Sequence, residues 1–327
     1  MGPHAQPTIA PGAAMPSIYR SDAGHQAILD WYDSAVERLA VPVESHYIDT
    51  PYGRTHMLVS GPEDAPPLVL VQGYGGSAPL WHKQLADFAR VRRVYALDTV
   101  GMPGRSEPRP LSLLDDAYTR WLLAVFDALG LDRPDVAGVC LGGWIVLRLG
   151  IDAPQRVRKA VLLSPVGLAC FKIYLRSGVP LILNMGDEAR AERYGQRLLV
   201  NAFTPPGSNL RFDRELARAM LLSVKYFDVG VAAGLLGERA RPLELWTALR
   251  VMIRFVRSEP IAALRRFEVP GLLMVGEYEA IYNPQQALRR AQRAIPDLQA
   301  EIVPGTGHAA IYDRPDYVNP RILDFLA

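Results

Sequence analysis

From about Ser21 onward, short unbroken apolar runs alternate with longer stretches whose apolar residues recur every three or four positions. The first pattern fits strands buried on both faces, the second amphipathic helices. Buried strands are predicted at Leu68 to Gln72, Arg93 to Leu97, Val136 to Val139, Ala160 to Leu163, Gly271 to Val275 and Ala300 to Val303. Helices are predicted at His25 to Leu39, Ala78 to Ala89, Leu113 to Leu129, Leu141 to Ile151, Pro284 to Ala294 and Tyr317 to Leu326. Ser45 to Asp49 and Thr55 to Ser60, joined through Pro51-Tyr52-Gly53, read as an antiparallel hairpin. Such alternation implies an α/β fold, a mostly parallel sheet with right-handed crossovers and helices on both faces.

The rhythm breaks between Pro165 and Ile261, where the periodicity is helical and no strand is predicted. Residues 166–261 are therefore expected to form a helical lid inserted after the sixth strand, with 21–165 and 262–327 as the core. Residues 1–20, opening on Pro, Ala and Gly, are expected to be disordered. Met1-Gly2-Pro3-His4 fits a cloning remnant, with Met15 as a natural start.

Composition narrows the function without choosing it. The chain has 327 residues, 49% of them hydrophobic, and a net charge of +2, which suits one globular α/β domain with an insertion. Its arginines are scattered, so no nucleic-acid partner is implied. No window approaches ~18 uninterrupted apolar residues, so no membrane span is expected. The N-terminus lacks the basic and apolar regions of a secretory signal. Two cysteines, Cys140 and Cys170, build neither a disulfide framework nor a metal site, which favours a reducing, cytoplasmic setting. The G-x-x-G turn after Asp98 is neither a dinucleotide nor a P-loop fingerprint, and no cofactor is expected.

In an open α/β sheet, functional groups gather at the carboxyl ends of the strands. Gly138-Val139-Cys140-Leu141-Gly142-Gly143 follows one such strand and has the form of a nucleophile elbow, with a thiol where the attacking group would stand. A small buried cysteine between glycines is the competing reading. After the first parallel strand comes Gln72-Gly73-Tyr74-Gly75-Gly76, with Trp81 beyond. That turn can aim the Tyr74 N–H above Cys140, where the Leu141 N–H would complete an oxyanion site. Asp98 is expected to brace its own loop by accepting backbone N–H groups. His308, behind Gly305 and Gly307, ends the last strand and requires an acid to fix its tautomer. Glu279 lies past the preceding strand's end and is the better candidate; Glu277 is expected to face solvent. Cys140, acid and His308 thus fall at strand ends in one chain order.

These residues resemble the α/β-hydrolase superfamily from about Glu44 to Ala327. Gln72 to Gly76 is similar to its H-G-x-x-G turn, Asp98 to Ser106 to D-x-x-G-x-G-x-S, and Gly138 to Gly143 to G-x-S-x-G-G. Gly276 to Glu279 is similar to its acid turn and Gly305 to His308 to its terminal G-x-G-H. Within it, the Ser60 to Pro67 approach, the Gly-Glu-x-Glu turn and Ile281-Tyr282 resemble bacterial lidded carboxylesterases of the naproxen-esterase kind. The resemblance implies an α/β-hydrolase fold with a lid, and a triad of nucleophile, histidine and acid. Two departures stand out. Gln72 replaces a histidine, so the turn keeps a donor but not a titrating group. Cys140 replaces the serine, and a thiol of ordinary pKa ~8.5 beside a histidine at a helix N-terminus can sit as thiolate.

The lid supplies large apolar residues throughout, expected to serve its own core and to wall a pocket for a hydrophobic small molecule. Pocket candidates are Gln72, Trp81, Trp144, Met185, Tyr226 and Trp246. Three functions fit: acyl-enzyme hydrolysis or acyl transfer on an ester, thioester or lactone; acetate elimination from an acetylated polyketide-type intermediate with His308 as base; and a non-catalytic ligand receptor. A monomer or homodimer is expected, with no metal.

Overall fold

The structure is a computed structural model that describes residues 17–170, 172, 188–205, 208, 210–228 and 258–327. Eight strands form one sheet in the order β1-β2-β4-β3-β5-β6-β7-β8. They are β1 Glu44–Thr50, β2 Gly53–Ser60, β3 Pro67–Val71, β4 Arg93–Leu97, β5 Asp135–Val139, β6 Ala160–Leu163, β7 Gly271–Gly276 and β8 Leu298–Val303. The hairpin partner β2 runs antiparallel to both β1 and β4, and every pairing from β4 to β8 is parallel. This is the α/β-hydrolase fold.

Alternate side chains along the parallel strands enter opposite apolar layers. Val69 and Val71 of β3 join the layer with Trp121, Ile145 and Ala287, whereas Leu68 and Leu70 join the one with Trp31, Leu85 and Phe325. Helices α3 Ala117–Ala128, α4 Leu141–Asp152 and α8 Pro284–Ala294 supply the first layer. Helices α1 Asp22–Glu37, α2 His82–Phe88 and α10 Pro315–Leu326 supply most of the second. Central strands buried on both faces must be apolar throughout, hence the unbroken runs.

Several boundaries differ from the sequence pattern for local reasons. The stretch Ala78 to Ala89 divides into a 3-10 turn, Ala78–Trp81, and α2, with Pro79 in the first turn. Helix α3 begins at Ala117, because Ser112 and Asp115 side chains accept the Leu114 and Ala117 N–H groups and hold a turn instead. Strand β8 is only partly buried, since it forms the sheet's edge. Ser17 to Arg20, assigned in advance to a disordered segment, are held in place. Ile18 is fully buried and Tyr19 bridges Phe227.

Within the insertion, the structure describes helices α5 Glu188–Phe203 and α6 Arg214–Tyr226, followed after residue 258 by the short α7 Ile261–Leu264. The Tyr19–Phe227 bridge is a departure from purely helical structure there. A last short helix, α9 Ala310–Asp313, follows β8.

Candidate active site

Cys140 stands between β5 and α4 with φ 54° and ψ −114°, a backbone that an L-residue adopts only under constraint. The constraint is visible. Its N–H donates to Leu163 O at 2.9 Å, and its carbonyl accepts from Trp144 and Val166 N–H at 3.0 and 3.3 Å. Gly142 permits the bend: a Cβ there would lie 2.6 Å from the Gln72 carbonyl oxygen and closer still to that of Val71. The thiol is half-buried. Gly73 passes directly beside it, since a Cβ on that glycine would sit 3.1 Å from Cys140 Cβ and 3.9 Å from Sγ.

The Gly73 turn is braced by Gln72, whose Oε1 accepts the Gly73 N–H at 3.1 Å while Nε2 donates to the Tyr312 hydroxyl at 3.3 Å. Gln72 therefore shapes the turn. Leu141 opens α4, where the first N–H groups of a helix have no acceptor within the helix itself. The Tyr74 ring packs edge-on to Phe227 at 5.6 Å between centroids.

His308 is buried, with Nδ1 2.8 Å from Glu279 Oε2. The other Glu279 oxygen accepts the Ile281 N–H at 2.9 Å, which fixes the carboxylate's orientation. Glu277 instead accepts the Gly305 N–H at 2.9 Å on the exposed side. Burial opposes a charged ring at His308. The Glu279 carboxylate and then Cys140 outweigh it, holding the imidazolium well above the ordinary histidine pKa. His308 Nε2 has no partner of full hydrogen-bond geometry among the described residues, yet the Cys140 thiol is near enough to act on the ring. Asp98 lies apart, accepting the Ala78 and Arg105 N–H groups and pairing with His56.

The pocket candidates scatter. Trp81 is completely enclosed in the core with Leu85 and Phe88. Trp144 is buried and donates its indole N–H to Glu259 at 2.9 Å. Tyr226 packs on α1, where a Cβ on Gly24 would lie 2.6 Å from its ring. Met185 and Trp246 lie outside the described residues.

Other residues of the insertion do reach the site. The Phe203 ring lies 5.8 Å from that of His308. The Ser223 hydroxyl donates to Gly75 O at 2.8 Å, tying α6 to the turn beside the thiol. Asp213 caps α6 and faces His82 at 3.4 Å and Lys83 at 3.1 Å. Burial would raise its pKa, but His82, the Leu216 N–H and Lys83 hold it well below the usual carboxylate range. Only the Asp213 cap had a local sequence signal, an aspartate opening an amphipathic stretch.

A sequence profile described as "Alpha/beta hydrolase family" matches residues 68–321. The chain belongs to the alpha/beta hydrolase family. It is 33% identical over 296 residues to an uncharacterized carboxylesterase, nap, of Bacillus subtilis, covering 90% of each chain. It is 32% identical over 295 residues to carboxylesterase YbfK of the same organism, covering 90% of this chain and 92% of that one. The crystal structure of carboxylesterase CesB (YbfK) from B. subtilis superposes with a TM-score of 0.78 at 28% identity, over 93% of this chain and 99% of that one. Naproxen esterase from the same species gives 0.74 at 29%, over 94% and 99%. This α/β-hydrolase-family enzyme therefore has carboxylesterase homologues. Among the described residues, no helix is long and apolar enough to cross a membrane.

Proposed function

We propose that the protein is a cysteine-dependent acyl-transfer enzyme of carboxylesterase type, acting on an ester, thioester or lactone of a hydrophobic small molecule. The observation that carries this reading is the constrained Cys140 backbone beside the buried His308–Glu279 pair. The Cys140 thiolate attacks the carbonyl carbon, and the resulting oxyanion takes hydrogen bonds from the Leu141 and Tyr74 N–H groups. As the C–O bond breaks, imidazolium His308 returns a proton to the leaving alkoxide, and the acyl group stays on sulfur. Water, deprotonated by neutral His308, then attacks the thioester; collapse expels the thiolate with the acid. An alcohol or amine replacing water gives acyl transfer. Glu279 keeps Nδ1–H directed at itself and stabilises the charged ring.

Residues 166–261 act as a lid in this reading, supported by the contacts of Phe203, Asp213 and Ser223 at the strand ends. The carboxylesterase homologues support ester chemistry. Hydrolysis of p-nitrophenyl esters of graded chain length, compared among wild type, Cys140→Ala and His308→Ala, tests the scheme. Both variants should lose turnover by at least ~10²-fold. Normal turnover by Cys140→Ala with loss in His308→Ala would assign the histidine to base chemistry without a covalent step.

A further inference from the structure

A second imidazole–carboxylate pair stands apart from Cys140 and has no part in the scheme above. His56 Nδ1 lies 2.9 Å from Asp98 Oδ2, with both side chains fully buried. The difference from His308 lies at the other ring nitrogen. His56 Nε2 is 2.7 Å from the hydroxyl of Ser45, an exposed residue. Hydroxyl, imidazole and carboxylate thus follow one another at hydrogen-bond distance, the relation by which a base activates a serine.

The sheet builds this row. Tyr47 stands opposite His56 in the β1–β2 ladder and Ser45 opposite Leu58, so serine and histidine are diagonal neighbours on one face. Asp98 follows β4 directly, and its N–H donates to His56 O at 3.0 Å. Its carboxylate accepts the Ala78 and Arg105 N–H groups at 2.8 and 3.0 Å, which fixes it in place. Two groups neighbour Nδ1: Asp98, and the Tyr32 hydroxyl at 3.3 Å. The carboxylate is closer and can only accept, so it takes the Nδ1 proton and leaves a lone pair on Nε2 for Ser45. With the ring sealed and the serine exposed, the hydroxyl stands between the base and solvent.

Two guanidinium groups border the row. Arg54 Cζ lies 4.4 Å from the centre of the Tyr47 ring, which is itself 4.7 Å from the His56 ring. Arg105 Cζ lies 5.3 Å from the centre of the Tyr32 ring and pairs with Asp33. The planar fork of arginine suits phosphoryl oxygens.

We propose that Ser45 is a second nucleophile, a site of covalent modification by neutral organophosphorus esters and fluorides, with His56 as its base. The Ser45 oxygen bonds to phosphorus as the bond from phosphorus to the leaving group breaks. The leaving group departs with the bonding pair, and the hydroxyl proton passes to His56 Nε2. Asp98 holds Nδ1–H and stabilises the charged ring. The site is independent of the role given to Cys140.

The test is labelling by a biotin-bearing fluorophosphonate, with labelled peptides mapped by mass spectrometry, on wild type, Ser45→Ala, His56→Gln and Arg54→Gln. In native wild type the Ser45 peptide should gain one phosphonyl group at least ~10²-fold faster than other serine peptides, and His56→Gln should slow it by a similar factor. Arg54→Gln should slow it several-fold. Ser45→Ala should leave that peptide unlabelled with the thermal midpoint close to wild type. Wild type unfolded in urea should lose the preference for Ser45, and this comparison carries the test if His56→Gln does not fold. A Ser45 peptide unlabelled in native protein, or labelled no faster than in urea, overturns the proposal, because the hydroxyl is then only a packing partner of His56. Label confined to Cys140 overturns it as well.

Discussion

Cys140 and Glu279 are fixed from below by backbone contacts, and Glu279 in turn holds the His308 ring, whereas α5 and α6 reach the same strand ends through side chains. Cys140 is held by three backbone hydrogen bonds and a glycine that admits no Cβ, and Glu279 by the Ile281 N–H. The helices above rely on the Ser223 hydroxyl, the Asp213 contacts with His82 and Lys83, an Arg38–Glu215 ion pair with the arginine 44% exposed, and Phe203 against His308. Backbone contacts through glycines leave no room for adjustment. Partly exposed side-chain contacts are individually weak and can be remade. In the proposed scheme a fixed frame under an adjustable cover suits acyl transfer, because reacting atoms need fixed geometry while substrate must still enter.

The contrast breaks most severely at Gly142. Gly142→Ala places a Cβ against the Val71 and Gln72 carbonyls, which side-chain repacking cannot relieve. It should destabilise the fold by about 3 kcal/mol or more, read as a lowered urea midpoint, and abolish turnover. Loss of less than ~1 kcal/mol would show that the elbow yields.

A change at the proposed triad that spares its frame should separate activity from stability. Glu279→Gln keeps the size of the side chain and loses the charge that holds the His308 imidazolium. Turnover should fall by ~10³–10⁴-fold with the thermal midpoint nearly unchanged. A fall below tenfold would point to another group orienting the ring.

The smallest effect belongs to the cover. Because the Asp213 pKa is depressed in the folded protein, its contribution is present above the unfolded value of ~3.9 and is lost as pH falls through the lower folded value. Hydrogen exchange of α6 amides should therefore accelerate below about pH 4, ahead of β5 and α4. Asp213→Asn should make exchange in α6 faster at neutral pH and remove that acid dependence. Equal acid sensitivity in α4 and α6 would mean that cover and frame open as one unit.

The residues of the proposed site stood out along the chain because glycines punctuate the strand ends: Cys140 lies between Gly138 and Gly142, Glu279 three residues after Gly276, and His308 directly after Gly307. The central strands were legible for a related reason, since burial on both faces leaves an unbroken apolar run. Strand β8 read as buried from the same pattern, but its place at the sheet's edge is a property of topology. What covers the site was much less legible. Phe203, Ser223 and Asp213 meet the core across long separations in sequence, and no periodicity encodes which turn a helix will touch. The pocket assignments for Trp81 and Tyr226 followed residue type alone, and tertiary packing sends one into the core and the other onto α1.

Covalent catalysis requires that Cys140 carry an acyl group during turnover. Intact-protein mass spectrometry, with peptide mapping after rapid acid quenching, can be run on wild type during steady-state hydrolysis of a short-chain p-nitrophenyl ester. A mass increase equal to one acyl group is expected, located on the Cys140 peptide and absent from Cys140→Ala. Sustained turnover with unmodified wild-type protein, and an equal rate in Cys140→Ala, would contradict it.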